Sequence, residues 1–257
     1  MRILLALSLA FSAAVALAQA QPADPGYQPS VGQEGKDVVW VPTPQALVDR
    51  MLDLAKVTSK DFVMDLGSGD GRTVITAAKR GAQAVGIEYN PSMVELSQKN
   101  AEKAGVSERA KFMKADLFET DLSKATVITM FLLPEINLKL RPRILDLKPG
   151  TRVVSNTFTM GEWEPDQTSK LGPGDGCDAY WCTALLWIVP AKVAGTYKTS
   201  AGELVLKQDF QKVHGTLTTD GKAVPIDSGR VRGEEVSFRA GGKSYRGRFS
   251  NGALELK

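Results

Sequence analysis

Residues 63–74 read "VMDLGSGDGRTV", and the fold turns on how they are read. An apolar run enters three glycines at alternate positions, Gly67, Gly69 and Gly71, and leaves into a helix-like pattern. A strand that passes through a glycine turn into a helix opens a doubly wound α/β sheet, whose ligands sit at the carboxyl ends of the strands. Glycine repeated in this way marks backbone that takes up positive φ or is approached closely. The spacing is G-x-G-x-G, whereas nicotinamide and flavin sites use G-x-G-x-x-G. Asp65 also stands inside the strand, where a carboxylate would repel a pyrophosphate. A nicotinamide-dependent oxidoreductase is therefore disfavoured, and a ligand bearing an ammonium is preferred.

Working outward, "DFVMDL" (61–66), "AVGIE" (84–88), "AKFMK" (110–114), "ATVITMFL" (125–132) and "RVVSNTF" (152–158) are short, apolar or β-branched strand candidates. Helical stretches alternate with them. Leu47, Met51 and Leu54 share one face of the first, and Asn90-Pro91 caps another. This alternation predicts a mainly parallel sheet covered on both faces. "AYWCTALLWIV" (179–189) reads as a late strand in a closing hairpin.

Two further acids fall at strand ends: Glu88, 21 residues after Gly67, and Asp116 in "KADLF". Glu88 can accept from two ribose hydroxyls. Asp116 can accept from an adenine amino group, with Leu117 and Phe118 offering apolar contact to the ring. S-adenosylmethionine has the matching groups: a nucleoside, an α-ammonium for Asp65, and a carboxylate that can meet N–H groups at a helix start. The expected cofactor site is Asp65, Gly67, Ser68, Gly69, Gly71, Glu88, Asp116 and Leu117, with Thr43 in a lid over the methionine part. Thr43 reads equally as a helix N-cap.

The chain has 257 residues, 43% hydrophobic and 24% charged, as in an ordinary globular protein. Net charge is +3, or +2 without Arg2, and no dense Lys/Arg block argues for nucleic acid. Arg2, the apolar run Ile3–Ala18 and Ala18-Gln19-Ala20 read as a cleavable signal peptide over 1–20, hence export to the periplasm. The alternative is an uncleaved membrane anchor. Residues 21–38, rich in Pro, Gly and Gln, read as a linker, and 39–190 as the sheet domain. After Pro190, alternating residues and turns at Asp220-Gly221, Gly241-Gly242 and Asn251-Gly252 predict six or so strands of a small antiparallel barrel or roll over 191–257. Cys177 and Cys182 are expected as two buried thiols, or as a disulfide if the chain turns between them. With one distant histidine, His214, they supply too few ligands for a metal.

These motifs resemble a class I S-adenosylmethionine-dependent methyltransferase, with "DLGSGDGR", "GIEYN" and "KADLF" in succession. More narrowly, "VPTPQALVDRMLDLAKV", "TMFLLPEINLKLRPRIL" and "LKPGTRVVSNTFTMGEW" are similar to the lysine methyltransferases of the ATP synthase c-subunit and the adenine nucleotide translocase, and to their bacterial relatives. The resemblance covers roughly 40–190 and leaves the barrel and the leader outside.

The resemblance implies methyl transfer to a protein lysine, with a membrane-associated substrate one option. The sheet domain contains no histidine, so a Ser-His-Asp or Cys-His mechanism cannot be assembled there. The acceptor place follows the fourth strand, at Phe131, Leu133 and Pro134. Here "FLLP" lacks the polar first residue of many amino-methylating relatives, which leaves backbone carbonyls and Phe131, helped by Glu135 or Asn137. Trp163 is read as packing rather than as a channel wall. An exported enzyme would meet little S-adenosylmethionine, so an exported, non-catalytic module of the same fold that binds a nucleoside-type ligand or a partner protein is the rival reading.

Overall fold

The computed structural model describes residues 27–257; the leader read at 1–20 and the start of the linker lie outside the described residues. Strands β1 (Phe62–Leu66), β2 (Gln83–Glu88), β3 (Ala110–Lys114), β4 (Val127–Met130) and β5 (Arg152–Asn156) pair in parallel. Strands β6 (Gln167–Lys170) and β7 (Thr183–Ile188) form an antiparallel hairpin, with β7 antiparallel to β5. The order across the sheet is β3-β2-β1-β4-β5-β7-β6. The chain steps outward from β1 to β3, then crosses back to lay β4 on the other side of β1. That reversal opens a crevice at the carboxyl ends of β1 and β4.

Helices α1 (Gln45–Leu54), α2 (Arg72–Lys79), α3 (Pro91–Lys103) and α4 (Pro134–Leu145) cover the sheet. The cap read at Asn90 is present: its side chain accepts from the amides of Ser92 and Met93, with Pro91 in the first turn. The N-cap of α1 is Pro44, not Thr43. Helix α1 buries Leu47, Val48, Met51 and Leu52. Because helices lie on both faces, every residue of β4 and residues 63–66 of β1 are buried. Each such aliphatic side chain contributes roughly 1.5–3 kcal/mol, so a polar residue at Val63 or Ile128 would unseat the sheet.

The late strand begins only at Thr183, because Ala179–Cys182 belong to a loop. Cys177 and Cys182 are bonded to each other, with Cα atoms 6.0 Å apart, which corrects the expectation of two buried thiols. A short 3-10 turn, Pro173–Asp175, and Gly176 at φ 79° begin the reversal that brings the pair together.

The C-terminal unit has seven strands, in line with the six or so expected: β8 (Gly195–Thr199), β9 (Gly202–Asp209), β10 (Lys212–Thr219), β11 (Lys222–Arg232), β12 (Glu235–Ala240), β13 (Lys243–Ser250) and β14 (Ala253–Leu256). Each pairs antiparallel with its sequence neighbour, and β14 returns beside β8, so the sheet is nearly closed. Trp163 ties the two units together. It is fully buried, with ring centroids 6.2 Å from both Trp187 and Phe210, so it packs. Arg230 adds an ion pair to Asp166 at 2.6 Å.

Candidate functional site

Asp65, near the end of β1, is 6% exposed and accepts a 2.6 Å hydrogen bond from Thr129 Oγ1. Burial pushes its carboxyl up to about 7. The Glu88 and Asp70 charges add to the rise, and the Thr129 and Thr73 hydroxyls oppose it. A cation arriving beside Asp65 would pull it back to the carboxylate.

Glu88 closes β2. Its Oε2 accepts from the Gly69 amide and its Oε1 from the Asn90 amide, each at 2.9 Å, so one carboxylate ties the glycine turn to the start of α3. Asp116 follows β3. Its Oδ2 is bonded by Lys36 Nζ, and its Oδ1 accepts from the Phe118 amide at 2.8 Å. The Lys36 ammonium first, then that amide, hold the Asp116 carboxyl below the usual carboxylate range. All three acids line one crevice of roughly 1040 Å³, counted out to its open mouth.

The glycines are needed for both of the reasons their spacing suggested, but the close neighbours are the protein's own. All three have positive φ. A Cβ on Gly69 would stand 2.6 Å from Trp40 Nε1, and one on Gly71 would stand 2.7 Å from both Phe112 and Ser97. These are protein neighbours. Gly71 sits against the core between α3 and β3 and does not line the crevice. The amides of Gly67 and Ser68 both donate to Ile87 O, and that of Gly71 to Ser68 O. With the Gly69 amide on Glu88, these four turn amides face protein acceptors, so side chains supply more of the crevice's polarity than the sequence implied.

Thr43, Ser68, Leu117 and Phe131 line the same crevice. Leu133 and Pro134 do not: Leu133 is a 42% exposed cap of α4 and Pro134 its first residue. Phe118 lies off the crevice under Lys139, 3.9 Å from Nζ to ring centroid. Glu135 is exposed, and Asn137 is fully buried, its Nδ2 donating to Phe158 O and Thr159 O. The sequence reading missed Lys36, Trp40, Arg72, Tyr89 and Met93, which also line the crevice. Arg72 pairs with Asp70 and donates to Thr43 O at 2.9 Å, which holds the "VPTP" segment over the turn. Residues 33–40, mostly read as linker, form one wall. The lone tryptophan at the end of that polar stretch was the available signal.

The residues present fit an S-adenosyl ligand. A buried acid suits its ammonium, two acids on successive strands suit its ribose and adenine, and Leu117 gives an apolar surface. The Ser68 hydroxyl is buried without a protein partner, packed over Gly86 of β2. This strand order, glycine turn and set of acids define an S-adenosylmethionine-dependent methyltransferase. Comparison with known proteins agrees. Residues 65–167 match the model of the ANTKMT methyltransferase domain. A protein-lysine N-methyltransferase of Saccharolobus islandicus is 48% identical, over 54% of this chain and 88% of the relative. The human lysine N-methyltransferase of the ATP synthase c-subunit is 34% identical, over 55% of this chain and 59% of the relative. The chain thus spans little more than half of that longer relative. A crystal structure described as an RNA methyltransferase from Salinibacter ruber, in complex with S-adenosyl-L-homocysteine, is 48% identical with a TM-score of 0.54, covering 60% of this chain and 96% of that one. The chain belongs to the methyltransferase family that the ANTKMT domain and these protein-lysine N-methyltransferases represent.

Proposed function

We propose that this enzyme transfers methyl groups from S-adenosylmethionine to a lysine amine of a protein, outside the inner membrane. The observation that carries the reading is the convergence of Asp65, Glu88 and Asp116 on one crevice with Phe131 at its side. In this reading Asp65 holds the ammonium, Glu88 the ribose hydroxyls, and Asp116 with Leu117 the adenine. When bound, S-adenosylmethionine supplies an already activated methyl group. The protein's contribution is then orientation and exclusion of water. Trp40, Thr43 and the Arg72–Asp70 pair close the crevice from above. A lysine near its reference pKa of about 10.4 must shed a proton to water at roughly 4–5 kcal/mol before attack at neutral pH. Loss of water around the amine as it enters the crevice lowers that cost by disfavouring the charged form.

Six acids, Glu34, Asp37, Asp65, Asp70, Glu88 and Asp116, line the crevice against two cations, Lys36 and Arg72. Such a lining attracts a cationic side chain and repels a phosphate backbone, which favours a protein acceptor over RNA. The disulfide supports export, because such bonds persist in oxidising compartments.

Titration calorimetry of the chain with S-adenosylmethionine and S-adenosylhomocysteine is the first test, and absence of heat with both would end the proposal. Labelled methyl transfer into periplasmic and membrane extracts, followed by mapping of the modified residue, is the second. Label confined to RNA would redirect the substrate assignment, and a fusion reporter active in the cytoplasm would overturn the compartment.

A further inference from the structure

Three aromatic rings from three separate segments meet at the carboxyl edge of the sheet. Phe131 follows β4, Phe158 follows β5, and Trp181 precedes β7. Phe131 stacks on Phe158 with centroids 5.9 Å apart, and its centroid lies 6.3 Å from that of Trp181. All three are half-buried, so each keeps open surface, and Phe131 is also a wall of the crevice. The strand order places this group on the far side of β1 from Glu88 and Asp116.

The backbone holding the rings is constrained. Thr157 has φ 62°, rare for a β-branched residue, and Phe158 N donates to Asn156 O at 2.7 Å across it. Strain of this kind persists where the surroundings fix it, and it gathers at ligand sites. Two features fix it here. The Thr157 amide donates to Thr183 O at 2.7 Å, and Asn137 Nδ2 donates to Phe158 O and Thr159 O at 3.2 Å each. Trp181 is the residue before Cys182, whose bond to Cys177 closes its loop. The same loop carries the exposed carboxylates Asp175 and Asp178.

We infer that Phe131, Phe158 and Trp181 form an aromatic subsite for the ammonium head of the acceptor, with Asn137 and the Cys177–Cys182 bridge as positioning elements. The inference rests on the amine-methylating reading above and extends it. With the nucleoside acids on the β2–β3 side, the acceptor enters from the β4–β5–β7 side. Ring faces attract cations and hold quaternary ammonium groups well. A methylated amine still carries charge when protonated while having fewer N–H donors, so this subsite retains mono- and dimethylated lysine between transfers. Each further transfer follows loss of one proton to water and exchange of the spent thioether for fresh S-adenosylmethionine, and trimethylated lysine, with no proton left to lose, is the end product.

The test uses the full chain saturated with S-adenosylhomocysteine and titrated with an acetylated trimethyl-lysine amide. A second titration uses its neutral analogue, in which carbon replaces the quaternary nitrogen. Calorimetry and tryptophan fluorescence are the readouts. The cationic probe is expected to bind about tenfold more tightly than the neutral one. Trp181→Ala and Phe158→Ala are expected to weaken it about tenfold while S-adenosylhomocysteine affinity stays within about twofold, and Trp181→Phe to restore most of the loss. Trp181→Leu keeps the apolar volume and guards against a folding artefact; it should lose the probe like Trp181→Ala. No binding of the cationic probe to the loaded protein, equal binding of the neutral analogue, or unchanged binding in Trp181→Leu each overturns the subsite alone. Failure of S-adenosylhomocysteine itself to bind is read first, and removes the underlying reading as well.

Discussion

The indole of Trp40 lies over Gly69, so close that a Cβ at residue 69 would stand 2.6 Å from Nε1, on a backbone with φ 54°. Gly69→Ala therefore strains the turn and displaces Trp40 together. The strain costs roughly 1–3 kcal/mol. Calorimetry should show S-adenosylhomocysteine affinity falling about tenfold or more. If the clash with Trp40 is the cause, adding Trp40→Ala to Gly69→Ala will cost less than the sum of the two single changes. Strict additivity would mean that the clash with Trp40 is not what weakens binding in Gly69→Ala.

Lys36 bonds Asp116 across 80 residues of sequence and sits 4.7 Å from the Tyr89 ring centroid. An exposed contact of this kind adds little to folding, yet it fastens segment 33–40 over the Asp116 end of the crevice. Lys36→Ala should leave the melting temperature unchanged and speed S-adenosylhomocysteine dissociation several-fold in stopped-flow fluorescence. Asp116→Ala should in addition erase the preference for the adenine ring over hypoxanthine, which lacks the amino group. A preserved preference would place the adenine elsewhere.

The Cys177–Cys182 bond packs in the same cluster as Leu47 and Met51 of α1. Loop-closure entropy for so short a loop gives about 2 kcal/mol, which corresponds to a fall of roughly 5 °C for a domain of this size. Cys177→Ala with Cys182→Ala should melt lower by about that amount without losing the fold, as judged by far-UV circular dichroism. An unchanged melting temperature, with dithiothreitol also without effect on the wild type, would mean that the bond does not form in solution.

Strands β1, β2, β4 and β5 were legible because burial on both faces leaves short apolar runs that few other structures require, and the edge strand β3 because Ala110 and Phe112 alternate with exposed residues. Asn90-Pro91 was legible because a cap and a first-turn proline are local chemistry. The polar edge strand Gln167–Lys170 carries no period, since almost all of it faces solvent. The disulfide depends on a turn at 173–176 whose geometry two cysteines five apart do not specify. The glycines were legible as a turn but not in their individual reasons, because Trp40 and Phe112 are distant in sequence. Segment 33–38 looked like linker because its contacts are with the crevice and none are periodic. The pairing of Phe158 and Trp181 with Phe131 was hidden for the same reason: an antiparallel strand, β7, had to return to the edge before those rings could meet.

Asp65 gives the pH dependence its sign. Its folded pKa, pushed up to about 7 chiefly by burial, lies above the ordinary carboxylate value of 3.8. The native state therefore holds a proton that the unfolded chain has released, and the stability tied to that proton is complete below about pH 4 and lost as pH rises through about 7. A buried ammonium of a ligand favours the carboxylate, so binding releases the proton. S-adenosylmethionine affinity should rise with pH to a plateau above about 7, falling up to tenfold per unit below it. Asp65→Asn keeps the shape and removes the charge. It should flatten that profile, weaken binding at pH 8, and raise the melting temperature at pH 8 more than at pH 5. Calorimetry in buffers of differing ionisation enthalpy would count the released proton directly. A wild-type affinity independent of pH between 5 and 8, or an Asn variant that melts lower at pH 8 than the wild type, would show that Asp65 is not the strained acid that receives the ligand's ammonium.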